Sequence, residues 1–527
     1  MLSLLLCLGL WVLPALSAAA QDTNEAFAAL ASNSFGSVRH GIEALAISGS
    51  PRALPIITAL QDGRLFFRAD HALFVKNEDG SFTEAATGAA ADVPARALKP
   101  VRVNNAVRSA IEAALGSLRL FASDPGTRLE AAEAVFRSRD PAALPALDRA
   151  LASETDPRVK QRIEQARAAA LLFSSTATEP ERLDAVAVLR ARADIEARSA
   201  LASLSDQPPA VAATAANAIT AIDRMLQLWS IAQGVYYGLS LGSVLLLAAA
   251  GLAITFGVMG VINMAHGEMV MIGAYVTFMV QQAMRAHLPA IYGANLIFAI
   301  PLAFVAAGLV GIAIERTLIR WLYGRPLETL LATWGLSLIL QQAVRSLFGA
   351  HNRDVDTPDW MSGATQLGGL TLTWNRMYII AFAAIVLTAL MAALRFTSLG
   401  LRMRAVTQNR RMAAAMGIRT PWIDALTFGL GSGVAGMAGV ALSQIDNVSP
   451  NLGQNYIVDS FMVVVFGGVG NLWGTTLGAL TLGIVNKFLE PIAGAVLGKI
   501  AVLVLLILFI QRRPRGMFPL KGRAAEA

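Results

Sequence analysis

The stretch GLSLGSVLLLAAAGLAITFGVMGVINMAHGE, from Gly238 to Glu268, decides the fold class of the second half of this chain. It lies in a run of 43 residues, between Arg224 and Glu268, that contains no Asp, Glu, Lys or Arg. About 20 consecutive apolar residues are enough for a helix to cross a bilayer. The run therefore predicts a membrane-spanning helix, and its last residues are unexpectedly polar.

The same pattern continues almost to the end of the chain. Further charge-free runs are found at 269–284, 286–314, 329–344, 377–394, 425–445, 460–486 and 500–511. We therefore expect a polytopic membrane helix bundle of about eight spans over residues 226–518. A short cytoplasmic tail, 519–527, is expected to follow it.

The charge balance differs between the two halves and excludes some functions. Of the 527 residues, 55% are hydrophobic and 15% are charged, whereas a soluble domain carries about 25% charge. Residues 1–225 contain 23 Lys and Arg against 25 Asp and Glu, and the remainder contains 20 against 11. The positive excess belongs to the membrane half and includes no basic run interleaved with aromatics, so we expect no nucleic-acid binding. Cys7 is the only cysteine, which excludes a Cys-based metal site, and no metal or cofactor is predicted.

The N-terminus and the basic segments predict one orientation. Residues 1–20 resemble a secretory signal peptide, with Ala18 and Ala20 in an A-x-A cleavage pattern; an uncleaved anchor helix is the alternative. Either way, the residues up to 225 are exported. Starting from outside, the predicted spans place three basic segments inside: 316–325, 395–420 and 512–523. This orientation agrees with the positive-inside rule.

Residues 21–225 are interpreted as a soluble exported domain. Helical segments of similar composition begin at Arg128 and, 54 residues later, at Arg182, and each is followed by a proline and a second helix. This repeated helix–turn–helix unit resembles HEAT-type repeats, and a segment from Ser37 has a similar pattern. We expect an all-α fold apart from one β-hairpin within Gly63–Ala85. Neither a nucleophile–base pair nor a metal-ligand spacing is found here, so we expect an interaction module and no catalytic residue.

Asn263, His266 and Glu268 lie where the chain otherwise avoids polarity. Polar groups at membrane depth are costly and usually face a cavity or each other. Glycines bracket these residues, so we expect an interrupted backbone with Glu268 in the first turn of a new helix. Two interpretations stay open: Glu268 pairs with His266 or caps backbone N–H groups, or the residues line a translocation path. Asn471, in GGVGN, marks a second glycine-framed site, and transport paths commonly have two interrupted segments.

The segment Thr397–Ile418 is polar, basic and helical, and it lies inside in the predicted topology. A short amphipathic helix between spans can lie on the membrane surface, and it can also dock into a partner protein. The sequence pattern leaves both interpretations open.

Three blocks of sequence resemble the permease subunits of ABC importers for branched-chain amino acids and urea. They are the opening stretch, the helix that ends in MAAAMGI, and VVVFGGVGNLWGTTLGALTLGI from Val463. The resemblance covers about residues 230–518. The exported extension and the amino-acid sequence of Asn447–Gly474 are most similar to the urea-type permease.

The resemblance implies one half of a transmembrane heterodimer in a bacterial inner membrane, with the N-terminal domain in the periplasm. The implied partners are a second related permease, two cytoplasmic ATPase subunits, a periplasmic substrate-binding protein and membrane lipid. By analogy, the residues that couple to the ATPase are Asn409, Arg410, Arg411, Ala413, Ala414 and Gly417. The two arginines stand where the family usually has an acidic residue. No G-x-x-x-x-G-K-[ST] motif occurs in the sequence, so ATP binding through such a loop is expected of other chains.

The implied substrate is urea, carried by alternating access. A path for this neutral molecule needs amides, hydroxyls and backbone dipoles. The candidate path residues are Asn263, His266, Glu268, Trp334, Gln341, Gln342 and Asn471. The alternatives are a permease for branched-chain amino acids, a secondary transporter or channel that works alone, and a membrane-anchored enzyme or sensor.

Overall fold

A computed structural model describes residues 25–518 except 33, 49, 51, 78, 79 and 206. The predicted signal peptide, 1–20, and the predicted cytoplasmic tail, 519–527, lie outside the described residues. Contacts between residues divide the chain into two compact units, with the boundary between Gln227 and Leu228. Each unit contains buried apolar clusters of its own.

In the described part of the first unit, a helical segment at 25–30 precedes two longer helices and a small antiparallel sheet. Helix α1 is Phe35–Ile47 and α2 is Ala53–Gln61. The strands are β1 (Leu65–Phe67), β2 (Leu73–Lys76), β3 (Phe82–Glu84), β4 (Ala90–Ala91) and β5 (Lys99–Pro100), in the order β4-β3-β2-β1-β5. Phe66 pairs with Phe74 and Val75 with Thr83.

The expectations of an all-α fold and of a single hairpin are therefore wrong for this part of the chain. The segment Gly63–Ala85 forms two consecutive hairpins, β1–β2 and β2–β3, and two further strands extend the sheet. Its aromatic and β-branched residues favour strands, and Leu65 and Leu73 are buried against the first helices. The pattern beyond Ala85 is too short and too rich in alanine to predict β4 and β5.

The rest of the first unit is helical and repeats with the predicted period. The helices are α3 (Asn105–Arg119), α4 (Pro125–Ser138), α5 (Leu144–Ser153), α6 (Pro157–Leu172), α7 (Glu179–Arg192) and α8 (Ile195–Ala202). Asp124 caps the start of α4 and Thr178, 54 residues later, caps the start of α7. At the ends of the same two helices, Arg139 and Ala193 both adopt a left-handed conformation, with φ of 54° and 55°.

The repeated unit nevertheless contains three helices and not the predicted pair. The segment 128–151 was expected to be one helix, but it divides into α4 and α5. The left-handed Arg139 ends α4, and Pro141, which has no backbone N–H, begins a separate 3₁₀ turn capped by Asp140. The 54-residue repeat is thus present in the structure, while its assignment to the HEAT type stays a prediction.

The second unit is built from long helices. They are α9 (Pro209–Met259, which begins before the boundary), α10 (His266–His287), α11 (Asn295–Thr317), α12 (Pro326–Phe348), α13 (Trp374–Phe396), α14 (Ser398–Gln408), α15 (Arg410–Ala415), α16 (Thr420–Leu442), α17 (Leu452–Gly467) and α18 (Leu472–Arg512). A hairpin of β6 (Ala364–Leu367) and β7 (Leu370–Thr373) lies between α12 and α13. The basic segment 397–418 forms the two short helices α14 and α15.

Five helical segments among the described residues are long and apolar enough to cross a membrane. They are Pro209–Met259, Pro289–Trp321, Trp374–Phe396, Thr420–Leu442 and Leu472–Arg512. Helices α10 and α12 carry more polar residues, and α17 has only 16. The count of about eight spans therefore stays a prediction.

The 41 residues of α18 do not form one straight helix. Gly494 leaves the helical conformation, with φ 78° and ψ 165°, and a Cβ on Gly498 would lie 3.6 Å from the Cβ of Leu489. The chain therefore reverses direction near Gly494, and the two halves of α18 run antiparallel. The run 460–486, expected as one span, is also divided, because the segment 468–471 separates α17 from α18.

This reversal corrects the predicted topology. An even number of crossings returns a chain to its starting side, so eight spans cannot place 225 outside and 512–523 inside. Among the described residues, α9 to α13, α16, α17 and the two halves of α18 give nine helical segments. An odd number is what the predicted orientation requires.

Candidate functional site

The starts of α10 and α17 meet in the interior of the second unit. Each helix has a glycine as its second residue, Gly267 in α10 and Gly453 in α17. A Cβ on Gly267 would overlap the backbone oxygen of Gly453, and a Cβ on Gly453 would overlap that of Gly267. The two backbones are therefore in direct contact, which only glycine permits.

A second glycine contact joins the helices that precede these two. Gly251 of α9 and Gly431 of α16 face each other, and a Cβ on Gly431 would lie 2.6 Å from the Gly251 oxygen. A non-helical segment follows each helix, 260–265 after α9 and 443–451 after α16. The order of long helix, interruption and helix with a glycine at its second position thus occurs twice. The sequence analysis placed the second interrupted segment at Asn471, and the one at 443–451 was not expected.

Asn263 and His266 are both buried at the first interruption. The Asn263 Oδ1 accepts from the Ala265 N–H at 3.0 Å, and the Met264 N–H donates to Thr333 Oγ1 at 3.1 Å. His266, which is 1% exposed, has its Nε2 at 2.9 Å from the Ala248 carbonyl oxygen. A carbonyl can only accept, so Nε2 carries the proton, and Nδ1 is left without a partner among the described residues.

Glu268 takes its partners from α12. Its Oε1 accepts from Ser337 Oγ and from Gln341 Nε2, both at 2.8 Å. The other carboxylate oxygen is buried and has no partner among the described residues. The expected pairing of Glu268 with His266, or its capping of backbone N–H groups, is not found in the described part of the chain, because the carboxylate lies towards α12 while the imidazole lies towards α9. We call Asn263, His266, Glu268, Ser337 and Gln341 the interior polar cluster.

The remaining candidate path residues lie outside this cluster. Trp334 is 50% exposed. Gln342 is also exposed, although it follows the buried Gln341, because successive residues of a helix point about 100° apart. Asn471 begins α18: its Oδ1 accepts from the N–H groups of Trp473 and Gly474 at 3.1 and 3.2 Å. Its Nδ2 donates to the Phe518 carbonyl at 3.2 Å. The structure thus uses Asn471 as a helix cap.

A cavity lies at one end of the second interruption. It has a volume of about 290 Å³ and is lined by Asp354, Val355, Asn375, Arg376 and the segment 443–447. The segment 443–447 leads from α16 towards α17, so the cavity adjoins the path into the helix crossing. Its lining contains charges of both signs.

The residues expected to couple to an ATPase form a compact turn. Asn409 caps α15 by accepting from the Met412 N–H at 2.9 Å, Ala413 is buried, and Ala414 and Arg411 are exposed. Gly417 has φ 86°, a left-handed conformation that favours glycine. The segment therefore presents an exposed surface on α15 that ends in a tight turn.

Arg410 lies towards the helices and away from that exposed surface. It forms an ion pair with Asp424 of α16, with a second contact of 3.3 Å between Nη1 and Oδ1. The Asp424 side chain is completely buried, and the Arg410 guanidinium stacks over Tyr323. Arg410 thus ties α15 to α16.

Comparison with known proteins identifies the family. Residues 234–511 match the family described as the branched-chain amino acid transport system permease component. The chain belongs to this permease family.

Two relatives show how far the likeness extends. The high-affinity branched-chain amino acid transport system permease protein LivH of Escherichia coli (strain K12) is 32% identical over 294 residues, covering 54% of this chain and 94% of LivH. The corresponding protein BraD of Pseudomonas aeruginosa is 30% identical over 303 residues, covering 56% of this chain and 97% of BraD. No solved structure matches the chain. The family match of this permease begins after the first unit.

The sequence analysis missed two charged residues in the helices of this permease. Asp459 of α17 and Lys499 of α18 form an ion pair at 3.0 Å. Both had been used only to mark the ends of charge-free runs. Each lies inside a helix and directly before a long apolar segment. This position in the sequence is the signal that could have identified them.

Proposed function

We propose that this chain is a permease subunit of an ATP-driven importer for branched-chain amino acids in a bacterial inner membrane. The observation that carries the proposal is the match over residues 234–511, together with relatives whose printed names give that substrate class. The doubled helix interruption supports it, because irregular backbone at membrane depth persists where it lines a cavity or is buried in protein.

The proposed partners follow from the family. A second related permease would complete the membrane unit, two cytoplasmic ATPase subunits would supply the energy, and a periplasmic binding protein would deliver the solute. The chain itself is not proposed to be an enzyme. Its proposed contacts are with these proteins and with lipid, and none is with nucleic acid.

The proposed mechanism is alternating access driven through α15. The Arg410–Asp424 pair links α15 to α16, and α16 touches α9 through Gly431 and α10 through Gly436 and Gly439. A movement of α15 caused by nucleotide binding would therefore shift α16 against both helices of the first interruption. The solute would move along this crossing, and the interior polar cluster would hold the α10–α12 packing in place.

Urea is the second candidate substrate. The similarity of Asn447–Gly474 to the urea-type permease favours it, and this segment contains α17 with Gly453. We prefer branched-chain amino acids to urea as the substrate because LivH and BraD, each of which matches over most of its own length, are named for branched-chain amino acid transport.

Uptake measurements separate the two substrates. In a strain without this chain, we expect uptake of labelled leucine to fall and uptake of labelled urea to persist. Leucine uptake should return to normal when the chain is supplied again. Loss of urea uptake with normal leucine uptake would assign the chain to urea instead.

A reconstitution experiment tests whether the chain needs a motor. We expect vesicles that contain only the purified chain to take up neither solute, and vesicles with the ATPase subunits, the second permease and the binding protein to take up leucine when ATP is present. Uptake by the chain alone would favour a stand-alone transporter or channel.

We further propose that the first unit lies in the periplasm and helps to receive the binding protein. It is exported in the predicted orientation and its repeated helices are typical of interaction modules. Deletion of residues 21–220 should therefore weaken docking of the binding protein. Unchanged docking and transport in that variant would contradict this role.

A further inference from the structure

An ion pair joins α17 to the second half of α18 within the most apolar part of the chain. Lys499 Nζ lies 3.0 Å from Asp459 Oδ2 and 3.4 Å from the Asn455 carbonyl oxygen, which accepts its second hydrogen bond. The Nζ also lies 6.0 Å from the centre of the Tyr456 ring. An ammonium group has three N–H donors, so one remains available to a further partner.

The ion pair lies towards the start of the second half of α18, where Lys499 is five residues from the reversal at Gly494, or about 7.5 Å along the helix at 1.5 Å per residue. Phe509 of α18 packs against Phe466 at the end of α17, with ring centres 4.7 Å apart. Lys499 lies ten residues before Phe509, or about 15 Å along the helix at 1.5 Å per residue. Lys499 therefore lies closer to the reversal, which the predicted topology places outside, than to the basic segment that follows α18.

The two members of the pair differ in exposure. The Asp459 side chain is 6% exposed, whereas that of Lys499 is 51% exposed. A half-exposed ammonium group facing hydrocarbon would be costly, and such groups normally face a bundle interior or a watery cavity.

The exposed face of α17 is polar beside Lys499. Asn451, Gln454, Asn455 and Val458 are all exposed, and their spacing places them on one side of the helix. Asn451 accepts from Arg345 of α12 at 2.8 Å. Three amides and a lysine on one face favour a polar path over lipid against this face.

We propose that Lys499, with the amides of Gln454 and Asn455, forms a binding site for the carboxylate of an α-amino acid on its way through the permease. Asp459 is a positioning residue: it accepts one N–H of the ammonium group and leaves another for the solute. The proposal rests on the proposed function, since it requires that the solute carry a carboxylate. Urea has none and would gain little from this site.

The test uses the complete importer, with its ATPase subunits, second permease and binding protein, reconstituted in vesicles. We expect Lys499→Met to reduce ATP-driven uptake of labelled leucine about tenfold or more, the scale of one lost charge-assisted hydrogen bond. Lys499→Arg should retain most of the uptake. Lys487→Met is the matched control, because Lys487 lies on the first half of α18 and pairs with Glu490 at the helix surface, and it should leave uptake unchanged.

The double variant Asp459→Asn/Lys499→Met separates recognition from simple charge neutralisation. It removes both charges, so a pair that only balances charge would be dispensable and uptake would recover. We expect no recovery, with normal assembly and normal ATP hydrolysis without solute. Recovery of leucine uptake in the double variant would overturn the carboxylate site. Failure of the unaltered importer to take up leucine would instead overturn the proposed function.

Discussion

Gly267 and Gly453 determine how closely the two interrupted helices approach. Their backbones occupy the space that a Cβ would need, and extra atoms in a packed interior cost about 1–3 kcal/mol even where neighbours can move. Here the neighbours are backbone atoms, which cannot change rotamer. We expect Gly267→Ala to lower the thermal unfolding temperature of the purified chain clearly and to abolish transport.

Gly335→Ala is the matched control for this substitution. Gly335 also lies inside a helix, α12, but a Cβ there would meet nothing within 4 Å. We expect the control to leave the unfolding temperature and transport unchanged. Equal behaviour of the two variants in a detergent thermal-shift assay would contradict the close helix crossing.

At the residue scale, part of the candidate site could be predicted from the sequence. Asn263, His266 and Glu268 were identifiable because polar groups are rare in apolar runs, and Gln341 joins them in the structure. The partners of Glu268 could not be predicted, because Ser337 and Gln341 reach it from a helix about 70 residues later. Lys499 and Asp459 were missed because a charge beside an apolar run was interpreted as the end of a span.

At the scale of elements, α15 depends on α16 for its position. Removing the Arg410 side chain would leave the buried Asp424 carboxylate without its partner, which we expect to destabilise the chain by about 1–3 kcal/mol. We expect Arg410→Ala to lower the unfolding temperature and to reduce solute-stimulated ATP hydrolysis by the assembled importer.

Arg411→Ala provides the comparison on the same helix. Arg411 is exposed, and its side chain pairs with no buried group among the described residues, so its loss should leave the unfolding temperature unchanged. Arg410→Ala combined with Asp424→Asn should recover part of the lost stability. If Arg411→Ala were the more destabilising variant, the link between α15 and α16 would be wrong.

An ion pair between two elements of the first unit is expected to make the stability of this unit depend on pH. Arg128 donates to Glu154 through Nε and Nη2 at 2.7 and 3.0 Å, and these bonds hold the pKa of Glu154 below its ordinary value of 4.5. A lowered pKa in the folded state stabilises the fold above the unfolded pKa, and this contribution is lost as the pH falls through the folded value. We therefore expect Glu154→Gln to lower the unfolding temperature at pH 7.

The same comparison at acidic pH supplies the control. As the pH falls from 5 towards 3, Glu154 of the unaltered chain becomes protonated, and the difference between the two proteins should shrink. A difference that stays constant over this range, measured by thermal unfolding of the full chain, would show that the charge of Glu154 does not stabilise the fold.

The elements themselves were predictable to different degrees. The 54-residue repeat was visible because helical segments of similar composition begin at Arg128 and Arg182. The break at Arg139 was not visible, since a left-handed arginine leaves no mark in the apolar pattern. Likewise Pro491 and Gly494 lie within an apolar segment, and composition alone does not distinguish a long helix from a reversal. Spacing thus predicted which segments are helical, and local backbone conformation decided where they end.

At the scale of the whole second unit, the reversal at Gly494 decides which side of the membrane the last helix reaches. The first half of α18 packs antiparallel to α9, since Gly242 contacts Ala479 and Leu480 while Gly238 contacts Ile484. The second half runs parallel to α17, since Lys499 pairs with Asp459 and Phe509 packs against Phe466. With nine crossings, the predicted topology places both basic segments, 395–420 and 512–523, on the side opposite to residue 225.

Cysteine labelling distinguishes nine crossings from eight. Cys7 is the only cysteine of the chain, so Cys7→Ala gives a background for single reporters. In intact cells from which the outer membrane has been removed, we expect a membrane-impermeant maleimide to label His351→Cys and Ala495→Cys from outside. Met416→Cys and Arg513→Cys should react only after lysis.

Eight straight spans would exchange the results at 495 and 513, because 487–499 would then lie inside and 512 outside. Labelling of Met416→Cys from outside would also contradict the proposed coupling to an ATPase, since a cytoplasmic ATPase could not reach α15.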